Sequence, residues 1–253
     1  MIDLHSHLLP GVDDGSRSVA QSVDVLRTLS AQGVTDVCLT PHMQASALEG
    51  GVPALHDQAF VALAAAHRSG PRLHRGAEVM LDRPLTATGA SHPGFRIAGG
   101  RYMLVEFTRA VASEAATNAL RGTVEAGVVP LLAHPERYGI CTPALASRWR
   151  ALGVVLQVDA TTALQASRRG QRARALLAHG LADIVAADNH GDQRSMAAFR
   201  DALAEQGDEA ACELLTTTNP QAILEDRPTT AVPAVTVRVA LRERFRHLFG
   251  GEE

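Results

Sequence analysis

The sequence predicts an α/β protein built on parallel strands. Short β-branched or apolar runs recur through the 253 residues, each followed by a longer stretch with helical spacing, the pattern of repeated βα units. Polar motifs fall at the ends of the apolar runs, where such folds carry their chemistry. A chain of this length can bury roughly three quarters of its unfolded surface, which suits one large domain.

The elements follow in order. Met1 to His5 reads as the first strand, and Ser18 to Gln32 as a helix with Val19, Val23, Leu26 and Leu29 on one face and Gly33 as its stop. Val34 to Thr40 is the second strand. Pro53 to Arg68 has helical spacing with Leu55, Phe60 and Leu63 inward, and Arg75 to Met80 is the third strand. Asp82 to Gly100, rich in Gly, Pro, Thr and Ser, reads as a loop or hairpin excursion. Strands at Tyr102–Phe107, Val128–Ala133, Val154–Val158 and Ile184–Ala187 alternate with helices at Ala115–Ala126, Ala144–Leu152, Ala173–His179 and Met196–Glu205. Seven strands with right-handed crossovers fit either a barrel or an open doubly wound sheet, and periodicity does not choose between them. Residues 1–230 form the expected catalytic domain. In the tail, 231–253, Val235, Val237 and Val239 alternate like a strand. Leu241, Phe245, Leu248 and Phe249 then oppose Arg242, Arg244 and Arg246 as in a basic amphipathic helix.

Composition removes several function classes. A net charge of −3 argues against a general nucleic-acid binder, which needs a basic stripe to displace counterions from phosphates. All 24 basic side chains other than histidine are arginine, which excludes lysine Schiff-base and P-loop chemistry. Cys38, Cys141 and Cys212 have no paired spacing and read as free thiols in a reducing compartment. With no signal-like start and no long apolar run, a cytoplasmic protein without a transmembrane segment is expected.

Six of the seven predicted strands carry metal-ligating side chains at or near their C-terminal ends. His5 and His7, two apart, point to the same side of extended backbone; Asp13 and Asp14 follow in a Gly-flanked turn, where the spacing does not say which one ligates. His42 closes Leu-Thr-Pro-His, Glu78 follows Gly76-Ala77, Glu106 sits in Leu-Val-Glu-Phe, His134 ends an apolar strand, and Asp188 and His190 repeat the two-residue spacing. Gathered charges of this kind are costly to bury without a counter-charge, and divalent cations supply it. Histidine and carboxylate without cysteine suit zinc, manganese or iron rather than a cysteine–zinc site or a calcium loop. Asp3, on the His5 face but one layer deeper, is expected to orient a ligand. Asp159 ends the exceptional strand and has no expected role. His56, His67, His74, His92, His179 and His247 lie on predicted helices or loops and are expected to face solvent or cap.

These motifs resemble those of the PHP (polymerase and histidinol phosphatase) superfamily, and within it the capsule and exopolysaccharide tyrosine phosphatases of the CpsB/CapC type. The stretches concerned are Asp3-Leu-His-Ser-His-Leu-Leu-Pro-Gly-Val-Asp-Asp-Gly15, Thr40-Pro-His42, Gly76-Ala-Glu78, Val105-Glu-Phe107, Ala133-His-Pro-Glu-Arg-Tyr138, Asp188-Asn-His190 and Asn219-Pro-Gln-Ala-Ile-Leu-Glu225. The resemblance implies a distorted seven-stranded TIM-like barrel with its site at the C-terminal face of the strands. It implies three divalent ions, manganese first, with zinc, iron or cobalt also compatible. His5, His7, Glu78 and Asp188 would hold one; Glu78, Glu106 and His134 the second; Asp14, His42 and His190 the third. It also implies a partner, a tyrosine-phosphorylated bacterial kinase with a tyrosine-rich tail, and homo-oligomerisation is open. The chain departs from the family at Met43 and Asn189, where histidine and alanine are expected, and its arginine after His190 is one residue closer.

Three ions in an arginine-lined mouth suit a tetrahedral anion, and phosphate ester hydrolysis by a hydroxide bridging two ions is the expected reaction. Arg137 and Arg194 are the expected catalytic and phosphate-binding arginines, with Arg17 a further phosphate-binding candidate. A phenolate, with a pKa of about 10, leaves readily. A cysteine phosphatase needs arginine six residues after its thiolate, where Gln44, Ser147 and Thr218 stand instead. A histidinol-phosphate-type phosphatase, a nuclease and a non-catalytic metal-binding module are the alternatives.

Overall fold

The structure is a computed structural model and describes residues 1–239. Its strands are β1 (Ile2–Ser6), β2 (Asp36–Leu39), β3 (His42–Gln44), β4 (Arg72–Arg75), β5 (Glu78–Met80), β6 (Tyr102–Glu106), β7 (Val129–Ala133), β8 (Val155–Asp159) and β9 (Ile184–Ala186). The helices are α1 (Val19–Ala31), α2 (Ala54–Ala66), α3 (Ala87–Ser91), α4 (Ser113–Glu125), α5 (Pro143–Ala151), α6 (Ala160–Ala163), α7 (Arg168–Ala178), α8 (Ala197–Ala204), α9 (Glu209–Glu213) and α10 (Asn219–Leu224). All paired strands are parallel, in one sheet ordered β1-β2-β4 and another ordered β3-β5-β6-β7-β8-β9.

The α/β class is as predicted, but the single seven-stranded ring is not found: among the described residues no closed barrel forms. Two of the seven predicted strands are each one part of an interrupted pair. The second, expected over Val34–Thr40, ends at Leu39, and an unpredicted strand, β3, follows Thr40-Pro41, where proline has no N–H to donate to a ladder. The third breaks at Gly76-Ala77, where a side chain on Gly76 would meet Cys38 Sγ and Ile97 Cδ1 at 3.0 Å. The chain passes from one sheet into the other at both breaks. Hydrogen bonds span them, Gly76 N to Leu39 O at 3.0 Å and Glu78 N to Pro41 O at 3.1 Å. Across the far edge Ser6 and Asn189 form one parallel bridge.

Helix starts follow local chemistry. Ser18 caps α1 by accepting from Gln21 N, and Val23, Leu26 and Leu29 are buried as the spacing requires. In α2 the buried stripe is shorter than predicted: Leu63 is buried, but Leu55 is 54 % exposed and Phe60 is half-buried beneath the Arg75 guanidinium, 4.0 Å from its ring centre. The 82–100 excursion is no hairpin; it holds α3 and two short 3₁₀ turns. The tail valines also differ from expectation. Val235 and Val237 are buried, yet they join no strand; Val235 N donates to Leu177 O, so the alternation reflects packing against α7. The amphipathic helix expected beyond Val239 lies outside the described residues.

An apolar cluster including Leu104, Leu131, Val155 and Ile184 lies along the strands. Strand alternation puts Leu104 on the face of Glu106, and Val155 on that of Gln157 and Asp159. The polar residues therefore occupy the last layer of an otherwise apolar interior.

Candidate metal centre

The nine ligands implied by the resemblance meet at the C-terminal ends of the strands, in four overlapping groups. They are His5–His7–Asp188, His5–Glu78–His134, His42–Glu78–Glu106, and His7–Asp14–His42–His190. His5 Nε2 and His7 Nε2 approach Glu78 Oε2 at 3.3 and 3.2 Å and Asp188 Oδ1 at 3.1 and 3.3 Å. His134 Nε2 lies 2.8 Å from Glu78 Oε1 and 4.0 Å from Glu106 Oε2. His42 Nδ1 lies 3.1 Å from Glu78 Oε2 and 3.2 Å from Glu106 Oε1, while its Nε2 is 3.4 Å from Asp14 Oδ1. Asp14 Oδ1 is also 3.5 Å from His190 Nε2. The third implied set is recovered with His7 added. His42 also leans toward the second set, because the Thr40-Pro41 break puts it in register with Glu78.

The base of the cluster is deeply buried, with His5, His7, Glu78 and Asp188 inaccessible to solvent, while Asp14 and His42 are exposed at its mouth. Glu78 Oε2 and Asp188 Oδ1, the oxygens facing the His5 and His7 rings, nevertheless have no hydrogen-bond donor. Two ligands each about 2.1 Å from one ion sit roughly 3.0–3.4 Å apart, close to the separations here. Burial opposes charge on His5, but Glu78 and Asp188 overcome it and raise its pKa. His42 is likewise pushed up to about 10 against burial, through Glu106 and Glu78. Glu78 is held well below the usual carboxylate range despite burial, by His5, His134 and His42. This field calls for positive charge at the centre of the cluster.

Backbone geometry aims two of these side chains. His134 (φ 33°) and Asp188 (φ 49°) adopt left-handed backbone, at about 1–3 kcal/mol each for residues with a Cβ. Gly15 is fixed by close approach: a Cβ there would stand 2.0 Å from His7 O.

The surroundings divide the ambiguous residues. Asp13 is absent from all four groups; its Oδ2 lies 2.8 Å from His7 Nδ1 and its Oδ1 accepts from Gly15 N. It orients His7, leaving Nε2 to face the cluster. Asp3 accepts from the backbone N–H of His5 and Ala187, so it fixes the chain beside two cluster residues rather than touching their side chains. Asp159 caps α6 through Thr161 N and Thr162 N and lies 3.6 Å from Arg137 Nη2. Sequence reading missed Gln157, whose Oε1 is 2.9 Å from His5 Nδ1. Its signal was available, one amide in the buried apolar run Val155-Leu-Gln-Val. Asn189, the departure from the family pattern, accepts from Gly191 N and Asp192 N and donates to Asp192 O and Arg194 O, so it builds the loop that carries Arg194.

Arg137 Nη2 bonds Asp188 Oδ2, and Arg194 Nη1 lies 3.5 Å from the same oxygen while its Nε donates to Asp192. Arg17 is exposed before α1, and among the described residues its side chain joins no ion pair. His56, His67, His74, His92 and His179 belong to none of the four groups, and His247 lies outside the described residues. The three cysteines are buried; burial pushes the Cys141 thiol up to about 12, the wrong direction for a thiolate nucleophile.

A family model described as "Capsular polysaccharide synthesis, CpsB/CapC" matches residues 1–225. The chain belongs to the CpsB/CapC family. Among relatives, the chain is 24% identical over 143 residues to a protein of Staphylococcus aureus named "Putative tyrosine-protein phosphatase CapC", covering 54% of each. It is 27% identical over 139 residues to "Tyrosine-protein phosphatase YwqE" of Bacillus subtilis, covering 54% of this chain and 55% of that one. The matched region thus spans about half the length of both. A solved structure described as YwqE from Bacillus subtilis and CpsB from Streptococcus pneumoniae, "unique metal-dependent tyrosine phosphatases", superposes with a TM-score of 0.76 at 22% identity, over 94% of this chain and 100% of that one. That likeness establishes a CpsB/CapC fold here.

Beside the cluster, Glu136 is fully buried, with Oε1 accepting from Asp159 N and Oε2 unpartnered. Burial, and then Asp159, raise its pKa to about 8. A carboxyl raised in the folded state holds its proton more tightly there, so its contribution is greatest below the unfolded value of 4.5 and is lost as pH rises toward about 8. Glu136→Gln is expected to flatten the loss of stability across this window in urea titrations. A variant with the wild-type pH slope would contradict the assignment.

Proposed function

We propose that this CpsB/CapC family member is a metal-dependent protein-tyrosine phosphatase. The observation that carries the reading is the cluster of five histidines and four carboxylates, buried at its base and open at Asp14 and His42, in which the buried Glu78 Oε2 and Asp188 Oδ1 face imidazoles without a hydrogen-bond donor. The names of the relatives support the same activity.

The donor set fits divalent ions, manganese, zinc, iron or cobalt alike. His5, His7, Glu78 and Asp188 would hold one, Glu78, Glu106 and His134 a second, and Asp14, His42 and His190 a third. When bound, such ions neutralise phosphoryl oxygens and activate water at neutral pH. The chain's own contribution is to orient and to balance charge. Asp13 and Gln157 fix the His7 and His5 rings, and Arg137 and Arg194, held on Asp188, turn guanidinium groups toward a phosphoryl group at the mouth. Tyrosine is a good leaving group, so little proton donation to it is required. The seven strand segments, counting β2–β3 and β4–β5 as one each, are read as a broken barrel joined at Ser6 and Asn189. The proposed substrate is a tyrosine-phosphorylated bacterial kinase acting in capsule or exopolysaccharide synthesis, in the cytoplasm. No helix among the described residues is long and apolar enough to cross a membrane.

Purified protein with manganese, and with chelator, should be offered a phosphotyrosine peptide, histidinol phosphate and an oligonucleotide. Turnover of the peptide alone, abolished by chelator and by His134→Ala, is expected. Hydrolysis confined to histidinol phosphate or to the oligonucleotide would overturn the reading.

Arg137→Ala is expected to lower kcat by about 10²–10³, the usual cost of removing one donor to a developing oxyanion, with Arg137→Lys restoring part of it. Unchanged steady-state kinetics would remove Arg137 from the site.

A further inference from the structure

The rim of the mouth carries cations that the nine-residue cluster does not use. Arg109 follows β6, Arg137 follows β7 and Arg169, in the first turn of α7, comes after β8 and α6, so the connections after three adjacent parallel strands each bring an arginine to the same end of the sheet. α7 packs on the Pro135–Arg137 turn, and Arg172 anchors it there, its Nε donating to Glu136 O at 2.7 Å. Arg169 lies three residues before Arg172 and shares its face of the helix, which directs it toward Arg137. Burial and the charges of Arg109, Arg137 and Arg172 hold Arg169 below the usual arginine range; Asp159 acts the other way, less strongly.

Two features set Arg109 and Arg169 apart from their neighbours. Arg137 and Arg194 are held on Asp188, and Arg150 on Asp183, whereas the side chain of neither Arg109 nor Arg169 has a hydrogen bond or ion pair among the described residues. In addition, α7 opens with Arg168 and Arg169 and has no acid in its first turn, the end of a helix where the dipole disfavours cations. Like charges gathered at an unfavourable helix end, with Asp159 the weaker opposing charge on Arg169, oppose folding locally, and such conflicts mark places where a ligand supplies what the chain does not.

We propose that Arg109 and Arg169 form a second anion subsite beside the metal centre, which receives a carboxylate or a second phosphate on the peptide that carries the scissile phosphotyrosine. The inference rests on the phosphatase reading and names its substrate class, acidic phosphopeptides.

The test uses three phosphotyrosine peptides of equal length. One has neutral flanks, one has Asp and Glu flanks, and one carries a neighbouring non-hydrolysable phosphonate in place of a second phosphate. Wild-type protein is expected to favour one or both anionic peptides in kcat/KM, and the arm that is favoured identifies the anion. The Arg109→Ala/Arg169→Ala double variant should lose roughly fivefold to twentyfold of that preference, the sum expected for two exposed ion pairs, chiefly through KM. Added salt should erode it. Arg109→Glu/Arg169→Glu should invert the preference toward the neutral peptide, while Arg27→Ala, at an exposed position of α1 paired with Asp24, should keep it. Equal turnover of all three peptides by wild type, or a preference that survives charge reversal in a folded variant, would overturn the subsite. Absence of turnover on every phosphotyrosine peptide would instead overturn the phosphatase reading on which it rests.

Discussion

The structure depends on two buried carboxylates, Glu78 and Asp188, which have more negative charge directed at the interior than the chain's own donors satisfy. Each has one oxygen held by a partner, His134 for Glu78 and Arg137 for Asp188, and one facing imidazole nitrogens without a donor. An isolated buried carboxylate is too costly to keep ionised. Five histidines crowd around them, with His7 4.1 Å from His190 and 4.4 Å from His42 between ring centres. In an apolar medium these groups repel unless cations or protons sit among them, and the proposed ions meet that need. Removing one acid from such a set leaves the others unbalanced, so its members stand or fall together.

Much of the local irregularity follows from this requirement. Both strand interruptions lie within two residues of a cluster member, His42 after Thr40-Pro41 and Glu78 after Gly76-Ala77. Both cluster residues with left-handed backbone lie just past a strand, His134 directly after β7 and Asp188 two residues after β9. A regular barrel strand presents every second side chain to the interior. Cluster side chains from so many strands at one depth require some strands to stop, step and resume. The cost of that geometry is offset by apolar burial below it, where Leu104, Leu131 and Ile184 are inaccessible to solvent.

The sequence made the order of strands and helices legible because burial on both faces leaves near-continuous apolar runs, and the ligand types stood out against them. The interruption of two strands was not legible as two sheets, since periodicity reports which side chains are buried and not which backbone groups pair. Val235 and Val237 show the same limit: they alternate like a strand and are buried, yet they join no strand, and Val235 N donates to Leu177 O near the end of α7. The choice between Asp13 and Asp14 was likewise a matter of turn geometry within one dipeptide. Gln157 was visible as an amide in an apolar strand, but its partner, 152 residues away, was not. Cation placement on the rim escaped the sequence reading because neighbouring loops in space, β6 to β8, are distant in the chain.

The central claim is that the nine side chains hold divalent ions and that Asp13 does not ligate. Anomalous X-ray scattering from crystals of the manganese-loaded protein tests it most directly. Three peaks are expected, enclosed by His5, His7, Asp14, His42, Glu78, Glu106, His134, Asp188 and His190, with Asp13 still on His7 Nδ1. An ion ligated by Asp13 in place of Asp14, or no peak within the cluster, would contradict the account.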